Sequence, residues 1–177
     1  MQNKQVELRM IYSTMKFWAG EWAEYSAEEK NKCSRAYYTW AFDAKDRQTG
    51  LMSEAIWDGA EDEEGNKIST SKEHFTIPQF CGYMMLDHPK IFLKDEDVFW
   101  EMFNWNRYII KTTSTQNTAL SKYSWRKNNL VKCSLYERYE KEKITLALKG
   151  YGILENQKEC FPKPPKEFLE IEKKYIV

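Results

Sequence analysis

Residues 98–140 read VFWEMFNWNRYIIKTTSTQNTALSKYSWRKNNLVKCSLYERYE, and this stretch decides the predicted fold. Apolar and polar residues alternate along much of it, and aromatic and β-branched residues, which favour strands, are frequent. Because the turn-forming connections between its segments are short, consecutive strands should be antiparallel neighbours. With the residues that follow, the stretch predicts five strands: 98–105, 107–115, 118–127, 130–140 and 144–154.

The N-terminal half adds one helix and further strands. Residues 4–18 predict a helix that ends near Gly20, because six residues share one stripe at the helical period: Val6, Met10, Ile11, Thr14, Phe17 and Trp18. Downstream, Trp and Tyr alternate with polar residues, which favours strands at 20–26, 35–43, 51–57 and 67–77. A continuous helix over 26–42 is the competing interpretation of the first two of these segments.

The predicted fold class is mainly β, a single antiparallel up-and-down β-barrel of about eight to nine strands. It carries the N-terminal helix at 4–18 and a short C-terminal helix at 166–175. The barrel domain is expected to span residues 1–160, and residues 161–177 form a Pro-rich C-terminal extension. A barrel of about eight strands can enclose one small ligand. The mixed aromatic and polar side chains therefore predict the binding of an amphipathic small molecule.

Composition narrows the class of protein. The chain has 177 residues, 42% of them hydrophobic and 31% charged, which is enough for a packed core. No apolar run approaches ~20 residues, and the N-terminus lacks a secretory signal, so a soluble intracellular protein of the cytoplasm or an organelle stroma is expected. The four cysteines form no CxxC pair, and two histidines do not suffice for a zinc site. We find no hydrolase or kinase motif.

Residues 17–22, Phe-Trp-Ala-Gly-Glu-Trp, resemble the Gly-x-Trp signature of lipocalin-like (calycin) barrels, which follows a short helix and opens the first strand. Within that superfamily, Ala19 to Trp22 and the step Trp57-Asp58-Gly59 are similar to the S-type phycobiliprotein bilin lyases. The resemblance covers residues 5–154. It implies a linear tetrapyrrole (bilin) bound in the barrel and attached to a cysteine of a phycobiliprotein client. The Arg and His residues that it places after the Trp are absent.

The candidate site residues follow from the predicted strand faces and from this resemblance. Glu137 lies on the more apolar face of strand 130–140, so it is the candidate catalytic acid, with a pKa raised by burial. Arginines could clamp a carboxylate, and aromatic rings could stack on a flat ligand. The candidate ligand-binding residues are Trp22, Trp57, Trp100, Tyr123, Trp125, Arg126, Tyr136 and Arg138. No metal ligand is predicted, and a bilin is the only cofactor-like molecule implied.

Two alternatives remain open. Residues 107–149 contain 10 basic and 3 acidic side chains, whereas residues 1–106 contain 12 basic and 19 acidic ones. A basic, aromatic-rich segment is typical of β-barrels that bind single-stranded nucleic acid. The second alternative is an α+β cone of the nuclear-transport-factor-2 type. It requires helices at both 4–18 and 26–42, packed against a curved sheet.

Overall fold

The computed structural model describes residues 2–43, 47–59, 61, 64–123 and 133–176. Helices predominate, since 54% of the described residues are helical. Within the described part of the chain the α-helices are α1 (Gln2–Gly20), α2 (Ala27–Asp43), α3 (Glu54–Trp57), α4 (Pro78–Asp87), α5 (Pro89–Phe92), α6 (Glu96–Trp105), α7 (Ser114–Leu120), α8 (Glu137–Lys141), α9 (Gln157–Cys160) and α10 (Lys166–Glu172). A 3₁₀ turn at Ser121–Tyr123 follows α7.

The strands form one open mixed sheet. They are β1 (Arg47–Ser53), β2 (Thr70–His74), β3 (Tyr108–Thr113), β4 (Leu146–Leu148) and β5 (Gly152–Ile153), and their order in the sheet is β2-β3-β1-β4-β5. β1 and β3 are parallel, and the other neighbouring pairs are antiparallel. A parallel pair needs a long crossover connection, and here it contains α3 to α6 as well as β2.

The predicted up-and-down barrel is therefore wrong, because the sheet has two free edges at β2 and β5 and contains a parallel pair. The lipocalin-like and bilin-lyase resemblance is wrong with it. The segment 17–22 ends α1 and enters a turn instead of opening a strand. The bilin pocket and the chromophore-lyase activity that rested on the barrel have no support in this fold.

Segment 98–105, predicted as a strand, lies in helix α6. The Asp95 side chain caps this helix by accepting a hydrogen bond from the backbone N–H of Val98 (2.9 Å). Acidic residues in the first turn then suit the helix dipole. Phe99 and Phe103, four residues apart, are both buried. The apolar residues that seemed to cover both faces of a strand therefore form one helical stripe.

Capping boxes explain two further helices at predicted strands. Thr113 and Gln116 form the reciprocal side-chain-to-backbone pair that begins α7, so residues 118–120 are helical. Ser26 and Glu29 form the same pair before α2, whose bounds confirm the alternative of a continuous helix over 26–42. The predicted strand at 130–140 is also wrong where the structure describes it, because Glu137–Lys141 is helix α8. Residues 124–132 lie outside the described residues.

The core lies where the helices pack together and onto the sheet. α2 and α4 approach closely at Gly82, where a Cβ atom would lie 2.6 Å from Cδ1 of the Tyr37 ring. The C-terminal segment belongs to the same core, because Phe161 and Phe168 are buried in it. The predicted C-terminal helix is present as α10. Among the described residues, we find no helix that combines the length and the apolar character needed to cross a membrane.

Candidate functional site

Helix α1 has two apolar faces, and the part of the chain that the structure describes covers only one of them. Ile11 and Met15 are buried in the core. Met10 and Phe17 leave 64% and 68% of their surface exposed on the other side of the helix. Residues seven positions apart lie on one helical face, separated by about 10.5 Å. The single stripe predicted over 4–18 is therefore divided between a core face and an exposed face.

We call Met10, Ser13, Thr14 and Phe17 the α1 strip. A shallow, wide-open groove of about 520 Å³ lies over it, and among the described residues it is lined by Arg9, Met10, Ser13 and Thr14. The Thr14 hydroxyl donates to the backbone oxygen of Met10 (2.8 Å), so its polar atom is satisfied within the helix. Small hydroxyl side chains thus lie between two large apolar ones. This arrangement allows another backbone to approach α1 closely.

Two cations flank the α1 strip on one side. Arg9 and Lys16 are seven residues apart and both exposed, and neither has a salt bridge to another described residue. The Lys16 ammonium lies 5.5 Å from the centre of the Tyr12 ring, which holds it close to the helix. The exposed apolar face of α1 therefore has a positive edge.

The most deeply buried charged pair joins α8 to the sheet. Arg138 is 2% exposed, and its Nη1 atom lies 2.8 Å from Oε1 of Glu73 on β2. Its Nη2 atom donates to the backbone oxygens of His74 and Phe75. Burial raises the pKa of the Glu73 carboxyl, and the positive charge of Arg138 opposes that rise. Because the Nη1 and Nη2 atoms already bind groups of this chain, the guanidinium has little capacity left for a ligand.

A second buried carboxyl lies on α10. Glu172 is 3% exposed, and its Oε1 atom accepts a hydrogen bond from the backbone N–H of Leu135 (3.1 Å). Burial raises its pKa to about 7, and the N–H of Leu135 opposes that rise. A carboxyl that titrates near neutral pH is the kind of group that sequence reasoning sought at Glu137.

The predicted acid Glu137 is exposed. It accepts a hydrogen bond from the backbone N–H of Ser134 (2.9 Å), and this bond, with a weaker contribution from the Ser134 side chain, lowers its pKa. Its neighbour Arg138 was predicted to clamp a carboxylate of a ligand, and in the structure it pairs with the carboxylate of Glu73 in the same chain. The catalytic role of Glu137 stays a prediction, and its environment is that of a helix-start residue.

The structure places the predicted aromatic residues in different parts of the fold. Trp22 is buried and donates to Asp87 Oδ1 (3.0 Å), and Trp100 donates to Glu96 Oε1 (3.1 Å). The remaining described ones share no partner with these two: Tyr123 donates to Glu142, Tyr136 packs on Phe75 and Phe161, and Trp57 is exposed at the end of α3. Trp125 and Arg126 lie outside the described residues.

In the structure, some basic side chains of segment 107–149 form salt bridges within the chain. Arg138 is neutralised inside the core by Glu73, and Lys122 is paired with Glu142 (3.2 Å). Two of its ten basic side chains are therefore paired with carboxylates of the same chain. Among the residues that the structure describes, no group of three or more His, Cys, Asp or Glu side chains is placed to hold a metal ion.

Sequence reasoning missed the exposed face of α1 and the two buried carboxyls. Met10 and Phe17 are seven residues apart and lie on a different face of the helix from Ile11 and Met15. Dividing the apolar residues into two stripes would have revealed the exposed face. The sequence carries no comparable signal for Glu73 or Glu172, because their burial depends on partners far away in the chain.

Comparisons with known proteins give no further assignment. No protein-family model matches the chain. No curated protein matches it, and no solved structure matches its fold.

Proposed function

We propose that the protein is a binding protein whose α1 strip receives an acidic amphipathic helix of a partner protein. The observation that carries this proposal is the second apolar face of α1, on which Met10 and Phe17 are about two-thirds exposed beside Arg9 and Lys16. Apolar positions seven residues apart lie on one helical face, the arrangement by which amphipathic helices contact an apolar partner.

The open form of the surface favours a helix over a small molecule. Small-molecule sites enclose most of their ligand, whereas the shallow groove over the strip is lined by side chains of one helix among the described residues. A partner helix would instead lie along α1. Its apolar side chains would cover Met10 and Phe17, and its backbone would cross near Ser13 and Thr14. Acidic residues seven apart in the partner would reach Arg9 and Lys16.

The expected affinity is modest. Covering the exposed parts of Met10 and Phe17 contributes roughly 2–4 kcal/mol. Two exposed ion pairs add about 0–1 kcal/mol each. The two contributions sum to at most about 6 kcal/mol before the cost of association, so a Kd in the millimolar range or weaker is expected. The ionic part should weaken with added salt, while the apolar part persists.

The test uses two labelled synthetic helices that share one leucine stripe and differ only in flanking residues, glutamate in one and lysine in the other. Fluorescence anisotropy should show the glutamate peptide binding at least about tenfold more tightly. Phe17→Ser should weaken binding, and Arg9→Gln should reduce the preference for glutamate. The matched controls are Tyr151→Ser, at a residue that is 85% exposed on the β4–β5 hairpin, and the exposed Arg35→Gln.

Three results would contradict the proposal. The first is equal binding of the two peptides, and the second is a Phe17→Ser variant that binds as tightly as the original protein. The third is self-association in sedimentation experiments that Phe17→Ser abolishes, since a second copy of the chain would then occupy the strip. A 12-carbon carboxylate that displaces the peptide would point to the amphipathic small molecule expected from the sequence.

A further inference from the structure

Helix α10 ends on a carboxyl group that is enclosed by the rest of the chain. Glu172 is 3% exposed and accepts the backbone N–H of Leu135 at 3.1 Å. The same helix places Phe168 against the Trp105 ring, with 4.5 Å between the ring centres. The Trp105 Nε1 atom also donates to the backbone oxygen of Pro162 (3.1 Å), just before the helix. The C-terminal segment is thus held by apolar contacts, by the buried carboxyl of Glu172, by a hydrogen bond from the Tyr175 hydroxyl to Asp87 and by the Lys94–Glu167 salt bridge (3.8 Å).

The positive charge near Glu172 is already used by another carboxylate, so the surroundings of Glu172 do not neutralise its ionised form. Among the described residues, the titratable groups that face it come from the 133–136 loop, α8 and α4: Cys133, Tyr136, Glu137, Arg138 and Cys81. Burial raises the pKa of both thiols and raises the pKa of Tyr136 to about 12, so these three groups are neutral near pH 7.

The two remaining groups are charged, and they oppose each other. Glu137 is negative and disfavours ionisation of Glu172, whereas Arg138 is positive and favours it. Arg138, however, is already paired with Glu73 at 2.8 Å. An ionised Glu172 would therefore depend mainly on a single backbone N–H for its stabilisation.

We propose that α10 is a proton-controlled clasp: residues 166–176 are held on the core when Glu172 is protonated, and they open more often when it is ionised. Opening would withdraw Phe168 from Trp105 and from Phe80, whose rings it contacts. The state with an open clasp would expose an apolar surface that the closed protein hides.

The direction of the pH effect follows from the two forms of the group. A free carboxyl has an ordinary pKa of 4.5, whereas burial raises that of Glu172 in the closed form to about 7. The closed form therefore binds the proton more tightly, and protonation favours closure. The closed-to-open ratio should be highest below about pH 4.5 and should fall as the pH rises through about 7. The largest possible change is about 300-fold, since each pKa unit contributes tenfold.

Hydrogen exchange of the full chain tests this inference. Protection of the α10 amides, corrected for the intrinsic effect of pH on exchange, should fall by at least about tenfold between pH 5.5 and 8.5. Glu172→Gln keeps the shape of the side chain but cannot ionise, so its α10 protection should not depend on pH in this range. Glu170→Gln, an exposed position on the same helix, is the matched control and should behave as the original protein does.

A second measurement keeps the inference falsifiable if Glu172→Gln does not fold. The carboxyl carbon of Glu172 in the unmodified protein can be titrated by NMR, and its midpoint should lie near the pH at which α10 protection falls. A midpoint below pH 5 would overturn the clasp. So would α10 protection that is unchanged between pH 5.5 and 8.5, or a Glu172→Gln variant that keeps the original pH dependence.

Discussion

Replacing Arg138 with Met tests directly how much its buried contacts stabilise the packing of α8 on the sheet. The substitution removes the ion pair with Glu73 (2.8 Å) and the donors to the backbone oxygens of His74 and Phe75. Breaking a buried pair by removing one partner costs about 3–5 kcal/mol, because the other charge stays buried without compensation. Met fills most of the volume of the arginine stem, so the cavity contribution should be small. We therefore expect Arg138→Met to lower the free energy of unfolding by about 3–5 kcal/mol.

A second variant separates the charge from the backbone contacts. Adding Glu73→Gln to Arg138→Met removes the uncompensated carboxylate, although the oxygens of His74 and Phe75 still lack their donor. An unsatisfied buried polar group costs about 1–3 kcal/mol. The double variant should therefore be more stable than Arg138→Met alone and less stable than the original protein.

The pH dependence of the stability loss caused by Arg138→Met provides an independent test. Arg138 is the group among the described residues that opposes the effect of burial on Glu73, so its removal raises the pKa of that carboxyl further. A carboxyl with a raised pKa in the folded state contributes stability when protonated and loses it as the pH rises. The Arg138→Met deficit should therefore be smaller at pH 5.5 than at pH 8. Arg138 also favours ionisation of Glu172, so its removal raises the pKa of that carboxyl too and enlarges the deficit at high pH in the same direction.

The assay is urea unfolding followed by circular dichroism at both pH values, with Lys141→Met as the control. Lys141 lies on the exposed side of α8, so its replacement should change stability by no more than about 0.5 kcal/mol. An Arg138→Met deficit below about 1 kcal/mol would refute the reasoning. A double variant no more stable than the single one would show that the buried charge is not the source of the loss.

Two further predictions concern the helical layer. Gly82→Ala should destabilise the protein by about 1–3 kcal/mol, because the new Cβ would lie 2.6 Å from Cδ1 of Tyr37. Gly20→Ala, whose Cβ would meet no atom within 4 Å, is the control in thermal unfolding, and an equal effect would contradict the close approach. Trp22→Phe removes the hydrogen bond to Asp87 (3.0 Å) and should cost at least about 1 kcal/mol. An unchanged unfolding midpoint in urea would show that this bond contributes nothing.

Secondary structure could be predicted where one period dominates the sequence. β3 lies within the predicted strand 107–115, because Ile109 and Ile110 sit in a run of β-formers that is too short for a helix. Helix α1 and helix α10 were likewise visible. Segment 98–105 was ambiguous, because apolar residues at 98, 99, 102 and 103 fit both a doubly covered strand and a helix. The deciding signal was upstream, in the capping residue Asp95.

The site residues were harder to predict because each depends on a long-range partner. Assigning 130–140 to a strand put Glu137 and Arg138 on opposite faces and made the glutamate the buried one. In helix α8 the two side chains also point in different directions. Arg138 faces the core, where it pairs with Glu73 on β2. Local spacing gives the separation of the two side chains, whereas tertiary pairing decides which of them is buried.

The exposed face of α1 allows binding to be separated from folding. Phe17 is 68% exposed in the folded chain and contacts water in the unfolded chain as well, so it contributes little to the difference between the two states. Phe17→Ser should therefore change the free energy of unfolding by no more than about 0.5 kcal/mol, whereas the buried Met15→Ser should cost several times more. If urea unfolding shows a comparable loss for both variants, Phe17 belongs to the core and the α1 strip is not a free surface.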